Sequence, residues 1–162
     1  MIRTATLAAT SAASIATAVA GSLATDPSSR WYQGLRKPPW QPPPVAFPVV
    51  WTALYADLAV STAAALDAYE REDPDVGRRR HVRALAANLV LNAGWGWLFW
   101  RGRRPWLAAA ECAVLAVSSA DLVRRTYRAR PGAGVALAPY AAWCGFATAL
   151  SAAIAHLNTG RA

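Results

Sequence analysis

The segment Ala46-Phe47-Pro48-Val49-Val50-Trp51-Thr52-Ala53-Leu54-Tyr55-Ala56-Asp57-Leu58-Ala59-Val60-Ser61-Thr62-Ala63-Ala64-Ala65-Leu66-Asp67 decides the fold. A helix crossing about 30 Å of hydrocarbon needs ~20 mostly apolar residues. This segment supplies them, and Asp57 is its one interior charge. Four further stretches have the same character: 4–24, 82–100, 105–123 and 135–157. Backbone groups in lipid must be satisfied within their own segment, so each stretch is expected to be an α-helix. The alternation that marks strands is absent. The expectation is an all-α protein, a single domain over residues 1–162, built as a five-transmembrane-helix bundle.

Composition agrees. The 162 residues are 55% hydrophobic and only 16% charged, against about 25% charged in a typical soluble domain. The spans are rich in alanine, which keeps the mean hydropathy at +0.18. Net charge is +8, but the basic residues fall in short runs between apolar stretches rather than on one face, which argues against a nucleic-acid partner. Two cysteines, Cys112 and Cys144, exclude a disulfide framework and a four-thiolate zinc site. They fall mid-helix and read as packing residues.

The first span has a rival reading. Arg3, a run of small residues and Ala18-Val19-Ala20 resemble a secretory signal with its cleavage site. The apolar run is poor in leucine and continues past that site, which favours a retained helix. With five spans, the N-terminus and the second and fourth connections share one side. That side carries ten Lys/Arg (Arg3, Arg71, Arg78, Arg79, Arg80, Arg83, Arg124, Arg125, Arg128, Arg130). The other carries seven (Arg30, Arg36, Lys37, Arg101, Arg103, Arg104, Arg161). The excess is small and points to a cytoplasmic N-terminus.

Between the first two spans lies a long loop, 25–45. It contains Trp31-Tyr32 and then Lys37-Pro38-Pro39-Trp40-Gln41-Pro42-Pro43-Pro44. Prolines fix φ and lower the entropy cost of one shape. Three aromatics on such a frame suggest a lid over the helix ends rather than a linker. The second connection, 70–80, is a mixed-charge run that reads as a solvated loop.

Residues three and four apart share a helix face. Asn88, Asn92, Trp95 and Phe99 align in the third span. So do Tyr140, Trp143, Ala147, Ser151 and Ile154 in the fifth, and Trp51, Tyr55, Leu58 and Thr62 in the second. Amides in lipid are costly unless hydrogen-bonded, so the third-span face must meet other helices or a cavity. Converging faces would make an apolar cavity beneath the loop. Trp and Tyr also gather at headgroup level as an interfacial belt, and for Trp51 and Trp143 both roles are open. Among the acids, Asp121 is placed to pair with Arg124 or Arg125, and Glu111 to reach Arg101, Arg103 or Arg104. Asp57 lacks an evident partner, and is expected to be protonated or to face another helix. No metal constellation is present, since His81 and His156 sit in different segments, and no phosphate loop or nucleophile elbow occurs.

In order, Trp31-Tyr32, Lys37-Pro38, Trp40, Pro42-Pro43, Phe47, Trp51-Thr52 and Leu54-Tyr55 resemble the first-loop and second-helix signature of the TspO/MBR family (tryptophan-rich sensory protein/translocator protein). Leu91-Asn92, Trp95 and Leu98-Phe99 resemble its third-helix motif. Pro139-Tyr140, Trp143, Phe146-Ala147-Thr148 and Leu150 resemble its fifth. The likeness runs from about residue 31 to 158. It implies a five-helix membrane protein, often dimeric, that binds porphyrins, haem, sterols and benzodiazepine-type drugs, with a retained first helix. The ligand contacts it implies are Trp31, Tyr32, Pro42, Trp51, Asn92, Trp95, Phe99, Trp143 and Ala147. Some bacterial members degrade protoporphyrin IX in light, using two tryptophans that correspond to Trp51 and Trp143.

The chain departs from the family at Ser151, where Asn is usual, at Ala59, where Gly is common, and at Asp57, where an apolar residue stands. Glycine is also frequent in the family near Pro44 or Pro48. The C-terminal sterol-recognition pattern is missing at Ala155-His156-Leu157-Asn158, which makes sterol less secure than tetrapyrrole. A weak sterol-type pattern at Leu122, Tyr127 and Arg130 is discounted.

A porphyrin has a flat π-face, which suits an aromatic cavity, and two carboxylates, for which Arg36 and Lys37 on the lid are the natural contacts. Both could equally meet lipid headgroups. His156 is better suited to capping or an interface than to haem ligation. The expectation is a multi-pass membrane protein, of a bacterial plasma membrane, that binds protoporphyrin IX or haem as ligand, with no required cofactor, as sensor, carrier or scavenger. The alternatives are a light- and oxygen-dependent porphyrin-degrading enzyme, with Trp51 and Trp143 as redox participants, and a sterol- or lipid-binding or purely structural module. A structural module would pack through small residues such as Ala9, Ala13, Thr17 and Gly21; a homodimer is implied by the resemblance alone.

Overall fold

The computed structural model describes residues 2–73 and 75–160. Arg161, one of the cations counted above, lies outside them. Among the described residues every regular element is helical: α1 (Thr4–Ala24), α2 (Arg30–Gly34), α3 (Ala46–Glu72), α4 (Gly77–Gly96), a π turn (Trp97–Arg101), α5 (Pro105–Ala129) and α6 (Pro131–Leu157). Four of these, α1, α3, α5 and α6, are long and apolar enough to cross a membrane. α4 has 20 residues, but Arg78, Arg79, Arg80 and Arg83 load its first turns and set it apart from that group. The stretch 82–100 is thus helical throughout, ending in the π turn.

The expected boundaries are too short at several ends. The stretch 46–67 continues as helix to Glu72, 105–123 continues to Ala129, and 135–157 starts at Pro131. Each extension carries polar or charged residues, which lower hydropathy without breaking a helix. Pro105 and Pro131 both occupy helix starts, where a missing N–H costs nothing. The run 70–80 is not a loop over its length, since α3 and α4 leave only residues 73–76 between them. Charge pairing favours the helical ends: Arg78 Nε lies 2.6 Å from Glu70 Oε2 across that connection.

The five long helices close a ring. α1 packs on α3 and α4, α4 on α5, α5 on α6, and α6 on α3. α5 and α6 form a hairpin with Arg130 as the only residue between them. Every residue from Ser61 to Ala68 of α3 is buried, as expected for a helix covered on all sides. The core joins Leu54, Leu58, Leu85, Leu89, Leu115, Leu122, Leu137 and Tyr140.

α1 turns a hydroxyl face inward: Thr6, Thr10, Ser14 and Thr17 are buried. Of the small residues expected to pack, Thr17 does so and Gly21 meets Gly96, whose added Cβ would stand 3.4 Å from the Gly21 carbonyl. Ala9 is exposed. Thr10 Oγ1 donates to the Ala59 carbonyl (2.8 Å).

At the other end of α3, buried Asp67 accepts hydrogen bonds from Thr6 Oγ1 (2.6 Å) and the Arg3 backbone N–H, with the Arg3 guanidinium 3.5 Å away. The acid therefore pins the start of α1. Arg3 is largely exposed, so water can replace part of what is lost on mutation. Asp67→Ala is expected to cost about 1 kcal/mol, read as a lower thermal midpoint in detergent, with proteolysis appearing first near Arg3.

Candidate functional site

Three helix faces were expected to converge, and they do. On α4 and the π turn that follows it, Asn88, Asn92 and Phe99 are buried and Trp95 is half-buried. On α6, Tyr140, Ser151 and Ile154 are buried, with Trp143 and Ala147 half-buried. On α3, Leu58 and Thr62 are buried, with Trp51 and Tyr55 half-buried.

A chain of polar groups forms the floor. Tyr55 O–H donates to Asn92 Oδ1. Asn92 Nδ2 donates to Tyr140 Oη (3.0 Å), and Tyr140 O–H donates to Asn88 Oδ1 (2.6 Å). Asn88 Nδ2 then donates to Ser119 Oγ (3.0 Å) and Ser118 Oγ (3.2 Å). Four helices, α3, α4, α6 and α5, are tied in one satisfied network, which removes the desolvation cost of two buried amides.

Aromatic rings cover this floor. Trp51 lies 5.5 Å from Tyr55 and meets Tyr140 edge-on at 6.5 Å, ring centre to ring centre. Trp143 contacts Phe47 (6.2 Å) and Phe146 (5.1 Å). Neither Trp51 nor Trp143 donates its indole N–H to a protein acceptor among the described residues. Trp95, by contrast, donates to Ser151 Oγ (3.2 Å). Ser151 thus serves an indole.

Above these rings sits the 25–45 loop. The π turn widens α4 at Trp97–Arg101, where the Gly102 N–H reaches the Trp97 carbonyl (2.8 Å). It leaves Phe99 2% exposed and Trp97 48% exposed, so one indole faces outward and one ring faces in. Phe99 stacks on Trp95 (5.5 Å) and receives Trp31 edge-on at 5.5 Å, while Tyr32 packs on Trp100 at 4.5 Å. Trp40 meets Phe146 at 5.8 Å. Asn158, just past α6, clamps the loop: its Oδ1 accepts from the Arg36 N–H (3.0 Å) and its Nδ2 donates to the Arg36 carbonyl (2.9 Å).

Trp31, Tyr32, Trp95 and Phe99 therefore share one cluster. Trp51 and Trp143 lie against the core beside it, and Asn92 sits beneath. Pro42 and Ala147 are half-buried. Arg36 keeps its side chain exposed. Lys37 is folded back, with Nζ donating to the Tyr32 (2.8 Å) and Leu35 (3.3 Å) carbonyls and lying 4.3 Å over the Tyr32 ring. One loop cation thus points outward and the other braces the loop.

The acids divide. Asp121 pairs with Arg124 and Arg125 as expected. Glu111 does not reach Arg101, Arg103 or Arg104: both its carboxylate oxygens are buried without a partner. Arg101 instead donates to the Leu23 carbonyl (2.9 Å), because the π turn points it toward α1. Asp57 accepts from Ser61 Oγ (2.8 Å) on its own helix, leaving Oδ2 unpartnered. The two thiols are free and buried, with Cys112 Sγ–H directed at the Cys144 carbonyl (3.8 Å). His156 is exposed. No group of three metal-ligating side chains comes together among the described residues.

The sequence patterns missed Tyr140 as the hub between Asn88 and Asn92, Phe47 and Phe146 as links between the ring clusters, and Asn158 as the loop clamp. The Tyr140, Trp143, Phe146 spacing held a signal for the first two. Nothing local marked Asn158.

The model of the TspO/MBR family matches residues 8–157. The chain is 32% identical to the tryptophan-rich protein TspO of Chlorobaculum tepidum over 146 residues, which cover 89% of this chain and 90% of that one. It is 32% identical to the tryptophan-rich sensory protein of Cereibacter sphaeroides, covering 81% and 78%. It is 28% identical to the translocator protein of Homo sapiens, covering 81% and 76%.

Proposed function

We propose, from the premise that this chain belongs to the TspO/MBR family of multi-pass membrane proteins, that it binds a tetrapyrrole between its aromatic rings. In this reading all five long helices cross the bilayer, α4 with its arginines at the interface, where their stems lie on apolar surface and their heads reach water. The 25–45 loop is the lid.

One observation carries the proposal. Two half-buried indoles on facing helices, Trp51 and Trp143, keep free N–H donors above a fully satisfied polar floor. A flat π-system entering there gains ring contacts, worth about 0.5–1.5 kcal/mol per aromatic pair beyond area burial, and finds donors that fix its orientation. The rings now touch one another, so entry requires the lid to lift. Its clamp is a single asparagine, Asn158, on the Arg36 backbone. The exposed Arg36 guanidinium is the partner for a propionate at the mouth. The protein then acts as a sensor, carrier or scavenger, with a homodimer as its assembly.

The test is titration of the purified protein with protoporphyrin IX in the dark, followed by Soret absorbance and quenching of Trp emission. Trp51→Phe and Trp143→Phe are each expected to weaken binding about tenfold, the factor that corresponds to one lost donor and a smaller ring. Wild-type affinity in both variants would remove the site. Illumination of the same samples tests the enzyme reading, which requires porphyrin colour to fade in light only when both tryptophans are present.

A further inference from the structure

At the end of the bundle opposite the lid, an open groove of about 610 Å³ lies between α4 and α5. Its rim is Arg80 and Arg83 from α4 and Arg124, Arg125 and Arg128 from α5, with Asp121 the one acid. Arg124 and Arg125 are both engaged by Asp121. Arg80, Arg83 and Arg128 are exposed and make no ion pair among the described residues. The groove does not end at the charges. Ala84, Ala87 and Ser118 continue its walls along the helices, and Arg80 to Ala87 spans about 10 Å at 1.5 Å per residue. With arginines at one end and Ala84 and Ala87 along α4, it runs from cationic to apolar as a phospholipid runs from headgroup to chain.

We propose that this groove is a binding site for an anionic phospholipid. Its phosphate is held by Arg80, Arg83 and Arg128, and its upper acyl chain lies over Ala84 and Ala87. Charge complementarity favours an anionic over a zwitterionic headgroup, since the rim carries five cations against one acid. Ala84 and Ala87 beside the cations, and the exposed Val90 and Val117 on the same two helices, favour a lipid over a free anion. Exposed Val90 and Val117 lie further along the same two helices and leave apolar surface for the rest of the chain. The site is independent of the tetrapyrrole reading and needs only that the protein spans a membrane.

The experiment places the full-length protein in phosphatidylcholine nanodiscs doped with phosphatidylglycerol and measures the preference for phosphatidylglycerol by displacement of a fluorescent analogue. The wild type is expected to prefer phosphatidylglycerol, less so at high salt. The combined variant Arg80→Gln, Arg83→Gln, Arg128→Gln is expected to lose preference on the order of a hundredfold, at about fivefold per arginine near an anionic surface. Arg71→Gln, Arg79→Gln, Arg130→Gln removes equal charge outside the groove and is expected to change it less than about threefold. Asp121→Asn releases Arg124 and Arg125 and is expected to raise the preference, a gain that a misfolded variant does not give. Equal losses in the two triple variants would show a diffuse field and overturn the site. Displacement of the lipid by inorganic phosphate at matched ionic strength would show a free-anion site and overturn the lipid assignment.

Discussion

Gly134→Ala is expected to be the most damaging single-methyl change in the protein. Gly134 is buried in the first turns of α6, where the hairpin brings α6 against α5. A Cβ built there falls on the Tyr127 backbone N, Cα and Cβ, closer than real carbon contacts allow. Backbone cannot rotate out of the way as a side-chain tip does, so the two helices must separate. With only Arg130 between them, the strain has nowhere to spread. The expected cost is about 3 kcal/mol, the upper part of the range for overpacking a well-filled core. Gly145→Ala, in the same helix, meets nothing within 4 Å, and is expected to be neutral or to stabilise by up to ~1 kcal/mol through helix propensity. Thermal midpoints of the two variants in one detergent give the comparison. Equal midpoints would show that α5 and α6 are not in this register.

Tyr140→Phe is expected to cost about 2 kcal/mol although it deletes a single oxygen. The Tyr140 side chain is 0% exposed and its hydroxyl serves two amides. Interhelical hydrogen bonds in membranes average only about 0.6 kcal/mol when both partners can find substitutes. Here substitutes are few: the variant orphans Asn88 Oδ1 and Asn92 Nδ2 in the core, each at about 1–3 kcal/mol. Tyr55 still donates to Asn92, which limits the loss. Asn88→Leu in the Tyr140→Phe background should recover part of the loss, because one orphan is removed. A midpoint unchanged by Tyr140→Phe would mean that water enters the network.

The helix faces were legible because helical spacing is local. Asn92, Trp95 and Phe99 needed only the 3.6-residue period to be placed together, and the cost of an amide in lipid to be turned inward. The helix ends were less legible, since hydropathy ends before the helix does: Arg124, Arg125 and Arg128 project from α5 beyond its apolar part, yet remain helical. The mixed charges of 70–80 were compatible with both helix and loop, and Glu70 with Arg78 decided for helix by pairing across the connection. α2 is too short for a periodic signal, and a π turn has no pattern in hydropathy. Glu111 was expected to reach Arg101, Arg103 or Arg104 and meets none of them; Arg101 turns instead to the Leu23 carbonyl, a contact between segments remote in sequence. The Tyr140 hub and the Asn158 clamp depend on contacts between segments remote in sequence, which no local window contains.

In the proposed function a flat ligand lodges between α3, α4 and α6 beneath the loop. The structure of the protein with protoporphyrin IX bound tests this most directly. The expected result places the macrocycle against Trp51, Trp143 and Trp95, with Trp31 above it and the Tyr55–Asn92–Tyr140 chain intact below. A macrocycle on the lipid-facing surface, with these three indoles still packed as they are in the free protein, would contradict it.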